Sequence, residues 1–141
     1  MRQIANQVGV LLARDKVRWA LFLSCLSIML YGTFRPEPPP DLFAHSDKFG
    51  HGLGFAALGI SARMALHLVP WQVFWLLIAG FAVLLEFLQA AWRPLRIFSL
   101  ADAYANLLGV GIALAVVMAW HLLGRPFSPT TDSPISRPQE P

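Results

Sequence analysis

The sequence predicts an all-α polytopic membrane protein, a bundle of four transmembrane helices with both termini cytoplasmic. Three observations point there. Of 141 residues, 56% are hydrophobic and 13% charged, whereas the charged fraction of an ordinary soluble domain is nearer a quarter. Four apolar stretches, 17–34, 49–69, 71–92 and 101–123, each approach the roughly 20 residues that cross a ~30 Å hydrocarbon core. Lys and Arg are shared unevenly between the connecting segments. With the amino terminus inside, Arg2, Arg14, Lys16, Arg18, Arg63, Arg125 and Arg137 lie on the cytoplasmic side and Arg35, Lys48, Arg93 and Arg96 on the outer side, as the positive-inside rule asks.

Residues 1–16 are mixed in character and read as a short amphipathic or irregular cytoplasmic segment. The cluster Arg14, Lys16, Arg18 then precedes the first span, 17–34. No small-x-small cleavage pattern follows Leu30, so this span is expected to be an uncleaved signal anchor. Its Cys25 is the single cysteine of the chain and reads as a packing residue. The stretch "FRPEPPPDLFAHSD", Phe34 to Asp47, is a linker, because its prolines lack backbone donors and cannot continue a helix. The second span, 49–69, is the least apolar of the four because it carries His51, Arg63 and His67. A tight turn around "LVPWQ", Leu68 to Gln72, leads into the third span, 71–92, and the fourth occupies 101–123. Trp19, Trp71, Trp92 and Trp120 fall at span ends, where an aromatic belt places them. Residues 124–141 are rich in Pro, Ser and Thr, with little to bury, and are expected to form a disordered cytoplasmic tail.

An ionisable side chain inside a span is costly, on the order of 3 kcal/mol at the centre, so each one needs a reason. At 1.5 Å per residue from the inner turn, Glu86 rises ~22 Å and stops about 8 Å below the outer surface, with Gln89 one turn above it. Counted inward from the outer ends of their spans, His51 sits about 6 Å deep and Asn106 about 7 Å deep. Three helices thus bring polar groups to one level. Asp47 and His51 are four apart, and Asp102, Asn106 and Gly109 follow i, i+4, i+7, so each set shares one helix face. Ser99 is placed to cap the fourth helix with Asp102 at N3, a variant of the capping box that explains both residues locally. Asn106 lies beyond the cap and calls for either a hydrogen bond to a neighbouring helix or a ligand. Glu86 calls for a partner, with Arg96, Lys48 and His51 in reach. Arg63, His67 and His121 lie near the inner surface and read as interfacial. The glycines of the second and fourth spans read as packing sites, and Ala105, Gly109 and Ala113 would serve an internal contact or a homo-oligomer equally.

"DKFGH" at Asp47 to His51, "EFLQ" at Glu86 to Gln89, and Arg96, Ser99, Asp102, Asn106 and Gly109 in the order R-x-x-S-x-x-D-x-x-x-N-x-x-G resemble the three motif blocks of the VanZ-like membrane proteins. The resemblance runs from about Asp47 to about Leu123. Two positions depart from it: Phe55 stands where a tyrosine is usual, and Leu95 where a glycine commonly precedes the arginine. The resemblance implies a small helical multi-pass protein of the bacterial inner (cytoplasmic) membrane, from a family whose founding member is linked to low-level teicoplanin resistance.

Two functions follow as expectations. In the first, a non-enzymatic envelope protein binds a lipid headgroup or a lipid-linked cell-wall intermediate in an outer-leaflet pocket built from Asp47, Lys48, His51, Glu86, Gln89, Arg96, Ser99, Asp102 and Asn106. Lys48, Arg96 and the start of the fourth helix would favour an anionic group. In the second, an intramembrane hydrolase or transferase acts on a lipid headgroup, with His51, Glu86 and Asp102 as acid and base. Against it, no serine or cysteine nucleophile has a paired base at motif spacing. No cofactor or metal is expected; a metal would have to use His51, Glu86 and Asp102. A proton-linked transporter titrating Glu86 ranks last, because no broken helix marks a midplane ion site. The positive charge reads as topology and attraction to anionic lipids rather than as a nucleic-acid footprint.

Overall fold

A computed structural model describes residues 2–36, 43, 45–92 and 97–123, the side chains of 2–13 excepted. Four α-helices follow in order: α1 (Arg2–Phe34), α2 (Ser46–Ala65), α3 (Trp71–Trp92) and α4 (Leu100–Leu123), with no strand among the described residues. The tail 124–141 and the loop residues 93–96, Arg96 among them, lie outside the described residues.

Three of these helices, over Arg14–Phe34, Trp71–Trp92 and Leu100–Leu123, are long and apolar enough to cross a membrane. Such lengths and compositions are those of membrane-spanning helices. Their outward side chains agree: Ile28, Leu76, Leu77, Leu108 and Val116 are exposed, as lipid-facing residues are. The sequence reading placed a fourth span at 49–69, but α2 does not join this apolar set. Its glycines, His51 and Arg63 lower its hydropathy, and it ends at Ala65.

The first helix is longer than the sequence suggested. Residues 2–16, read as amphipathic or irregular, are helical and continuous with the span. The exposed pair Arg18–Asp15 at 3.2 Å, spaced i, i+3, supports the junction.

The early end of α2 has a local cause. The Leu66 N–H closes the last turn on the Ala62 carbonyl at 2.7 Å, and Val69 N–H returns to Leu66 O at 3.0 Å. Arg63 then folds over this turn. Its Nη1 donates to the carbonyls of Val69 (2.8 Å) and Leu66 (3.3 Å), and the guanidinium carbon lies 5.3 Å from the rings of both Trp71 and Phe74. A residue read as a simple interfacial charge is therefore the clamp of the α2–α3 turn.

The closest helix pair is α2 with α4, α1 lies against α2, and α3 lies against α4. Small residues permit the α2–α4 approach. A Cβ placed on Gly109 would collide with the Gly52 carbonyl oxygen and lie 2.9 Å from Phe55 Cβ. One on Gly59 would lie 2.7 Å from Ala113 Cβ. In a membrane, apolar burial between helices gains little over lipid, so association rests on close van der Waals contact and interhelical hydrogen bonds. Gly109 and Ala113 are buried inside this pair, so the small-residue stripe of α4 serves an internal contact.

The core follows the pair. Phe55, Leu58, Ala62, Phe74, Ile78, Ala82, Leu85, Val110 and Ala113 form one buried cluster, and Phe22, Cys25 and Met29 of α1 pack on its edge. Phe34 meets Trp92 edge-to-face at 6.0 Å, and Trp71 meets His121 at 6.0 Å. The C-terminal ends of α1 and α3 therefore share one end of the bundle, with the N-terminal ends of α2 and α4, and the α2–α3 turn closes the other.

Candidate functional site

The polar residues of three helices meet at the first of those ends. Asn106 is completely buried (0% exposed), and its amide joins three helices. Its Nδ2 donates to the Ala82 carbonyl of α3 at 3.1 Å. With the amide so oriented, its Oδ1 faces His51 Nδ1 of α2 at 2.9 Å. An amide oxygen only accepts, so His51 Nδ1 carries a proton and donates to it. Of the two readings open for Asn106, the interhelical bond is present.

Glu86 and Asp102 are 2% and 4% exposed. The structure separates their roles in a way the capping-box pattern did not anticipate. Ser99 is the cap: its Oγ accepts from Asp102 N–H at 3.2 Å, and its carbonyl accepts from Ala103 N–H at 3.0 Å. The return bond to Ser99 N–H comes from Glu86 Oε1 of α3, at 3.1 Å. Glu86 thus completes the start of α4 from a neighbouring helix. Asp102 turns toward α2, where Lys48 Nζ lies 3.4 Å from its Oδ1. These two carboxylates and a His51 ring nitrogen bring ligand-type atoms within 4.8 Å of one another, although Lys48 and Ser99 N–H already contact the carboxylates.

Lys48 is held from two sides, with Asp47 Oδ2 at 3.1 Å. That bond, opposed by desolvation and helped by Asp102, raises the ammonium pKa above its ordinary value. For Asp47, burial pushes the carboxyl up, but Lys48 outweighs it and, with His51, holds the pKa below the usual carboxylate range. Lys48 was expected to attract an anionic ligand; in the structure it neutralises two aspartates.

A cavity of about 490 Å³ opens beside this cluster between α1 and α2. One part is apolar, walled by Cys25, Ile28 and Met29 of α1 and Leu53, Phe55 and Ala57 of α2. The other is polar, formed by Thr33, Arg35, Asp47, His51 and Gln89. Gln89, 2% exposed, donates from Nε2 to the Thr33 carbonyl at 3.0 Å and so ties α3 to the end of α1. Its Oε1 finds no partner among the described residues.

The structure thus gathers Asp47, Lys48, His51, Glu86, Gln89, Ser99, Asp102 and Asn106 at one end of the bundle. Only the first, third and fifth of these line the cavity; the others hold the helices around it. Arg96 lies outside the described residues. Arg35 and Thr33 were missed as site residues. Arg35 counts in the sequence only for topology, and its place at the start of the proline-rich linker, just past the first span, was the available signal. Compared with protein-family models, curated proteins and solved structures, the chain matches none.

Proposed function

We propose that this chain is a VanZ-like integral membrane protein of the bacterial cell envelope that holds a lipid headgroup, or a lipid-linked cell-wall intermediate, at an outer-leaflet polar pocket. In this reading α2 crosses with the other three helices, shielded by α1 and α4, and both termini are cytoplasmic in the inner membrane. The observation that carries it is the two-part lining of the cavity, with an apolar wall of α1 and α2 running into a polar end at His51 and Gln89. That arrangement suits an amphiphile, whose chain replaces lipid contacts along the wall while its headgroup meets fixed polar atoms. The three motif blocks quoted above add the family resemblance, and through it glycopeptide susceptibility as the phenotype to examine.

Native mass spectrometry of the protein purified with envelope lipids tests the reading. Gly32 lines the cavity and a Cβ there meets nothing within 4 Å, so Gly32→Leu would extend its side chain into the cavity. Wild type should retain lipid, and Gly32→Leu and His51→Ala should lose most of it. Equal retention in all three would remove the reading.

A second reading, an intramembrane hydrolase or transferase, is favoured by one observation. Asn106 holds the His51 ring through Nδ1, so Nε2 is the nitrogen available for acid–base work, while Glu86 and Asp102 stand close to the ring. Headgroup turnover by wild type that disappears in His51→Gln would put this reading first.

A further inference from the structure

We propose that Arg35 is the anion-recognising residue of the α1–α2 cavity, and that the group it takes is the phosphate ester of a lipid headgroup. The assignment rests on the lipid reading above and names the chemistry of its ligand.

The described cations of the outer end do not stand alike. Lys48 is committed to Asp47 and Asp102. Arg35 lines the polar part of the cavity, yet its Nε and Nη2 are buried with no hydrogen-bond partner among the described residues. A guanidinium stays charged in any protein environment, so its donors cannot be silenced by losing a proton. Buried donors of a permanent cation call for acceptors. These two nitrogens form one edge of the guanidinium, the fork that grips two oxygens of a phosphate or carboxylate in parallel.

The backbone fixes where this side chain starts. Arg35 N–H bonds back to the Tyr31 carbonyl at 2.9 Å, continuing the last turn of α1, and the Gln89–Thr33 bond anchors the same end to α3. Gln89 supplies the complementary feature, a buried Oε1 acceptor on the same cavity. Arg35 and Gln89 line one pocket, and an unpartnered donor fork on one with an unpartnered acceptor on the other matches a phosphodiester that carries a hydroxyl, once the Arg35 side chain turns to meet it. Asp47, the carboxylate among the described lining residues, is already bonded to Lys48. The apolar wall from Cys25 to Leu53 then selects a phosphate borne by an acyl chain rather than a free one.

The test uses the full chain in neutral detergent, with lipid retention read by native mass spectrometry. Dioleoyl phosphatidylglycerol, dioleoylglycerol with the same chains, and inorganic phosphate are the three probes. Wild type should prefer phosphatidylglycerol over dioleoylglycerol about tenfold or more, the scale of one charge-assisted contact. Arg35→Gln should bring the two lipids to near parity with unchanged helical circular dichroism, and Arg35→Lys should recover part of the preference. An unchanged preference in Arg35→Gln, or parity in wild type, would overturn the assignment while leaving lipid occupancy standing. Binding of inorganic phosphate alone, without retention of phosphatidylglycerol, would overturn the lipid as its source. Retention of neither lipid by wild type would overturn the assignment, and if envelope lipids are not retained either, the lipid reading falls with it.

Discussion

At the scale of single residues, the polar end of the bundle is built by exchange between helices. Ser99 caps α4 in the ordinary way, but the acceptor for its own N–H comes from Glu86 of α3. This makes separable predictions. Ser99→Ala should cost about 1 kcal/mol, as for other lost caps. Glu86→Gln keeps an amide oxygen where Oε1 stands and should preserve the bond to Ser99, whereas Glu86→Leu strands a part-buried N–H at a cost of about 1–3 kcal/mol. Unfolding in mixed micelles measures both, and equal stability of the Gln and Leu variants would show that the cross-helix cap contributes nothing. The sequence could not reveal this exchange. A carboxylate at N3 and one from a neighbouring helix can satisfy the same N–H, and spacing along one chain cannot choose between them. Asn106 was more legible, because an amide two turns inside an apolar helix, past any capping role, needs a partner from outside that helix.

At the scale of elements, the α2–α4 pair carries the site because it carries the closest packing. Asp102, Asn106 and Gly109 share one face of α4, and each meets α2 in turn: Lys48, His51, and then Gly52 with Phe55. The hydrogen bond between His51 and Asn106 therefore depends on the glycine contact one turn away. Gly109→Ala should push the helices apart, cost about 1–3 kcal/mol as overpacking does, and weaken lipid retention together with stability. Gly111, two residues on, has nothing within 4 Å of an added Cβ, so Gly111→Ala should stay within about 0.5 kcal/mol of wild type. If the two alanines destabilise equally, helix packing at Gly109 is not what positions the pair. The spans of α3 and α4 could be read from hydropathy almost to the residue, since continuous apolar runs end at Trp92 and Leu123. The end of α2 could not, because Arg63 terminates it by capturing carbonyls of the following turn, an interaction that composition does not encode.

At the scale of the whole molecule, His51, Glu86 and Asn106 meet at one end of the bundle because helices rise at a common rate, so residues equally far from the same end come to one level. Arg35 was not legible in this way, because it follows the last turn of α1, where the direction of a side chain is set by the bend into the linker rather than by helical period. The same arithmetic makes orientation testable, since the site faces the outer leaflet only if both termini are cytoplasmic. Phe43 and Leu68 are exposed at opposite ends of the bundle, and Cys25 is the single native thiol. In a Cys25→Ala background, Phe43→Cys should react with a membrane-impermeant maleimide in intact spheroplasts. Leu68→Cys should react only after permeabilisation. The reverse pattern would place the cavity mouth on the cytoplasmic side, where the excess of Lys and Arg would no longer accord with the positive-inside rule. The headgroup at Arg35 would then have to come from the inner leaflet, and a lipid-linked cell-wall intermediate displayed on the outer face would be excluded as its occupant.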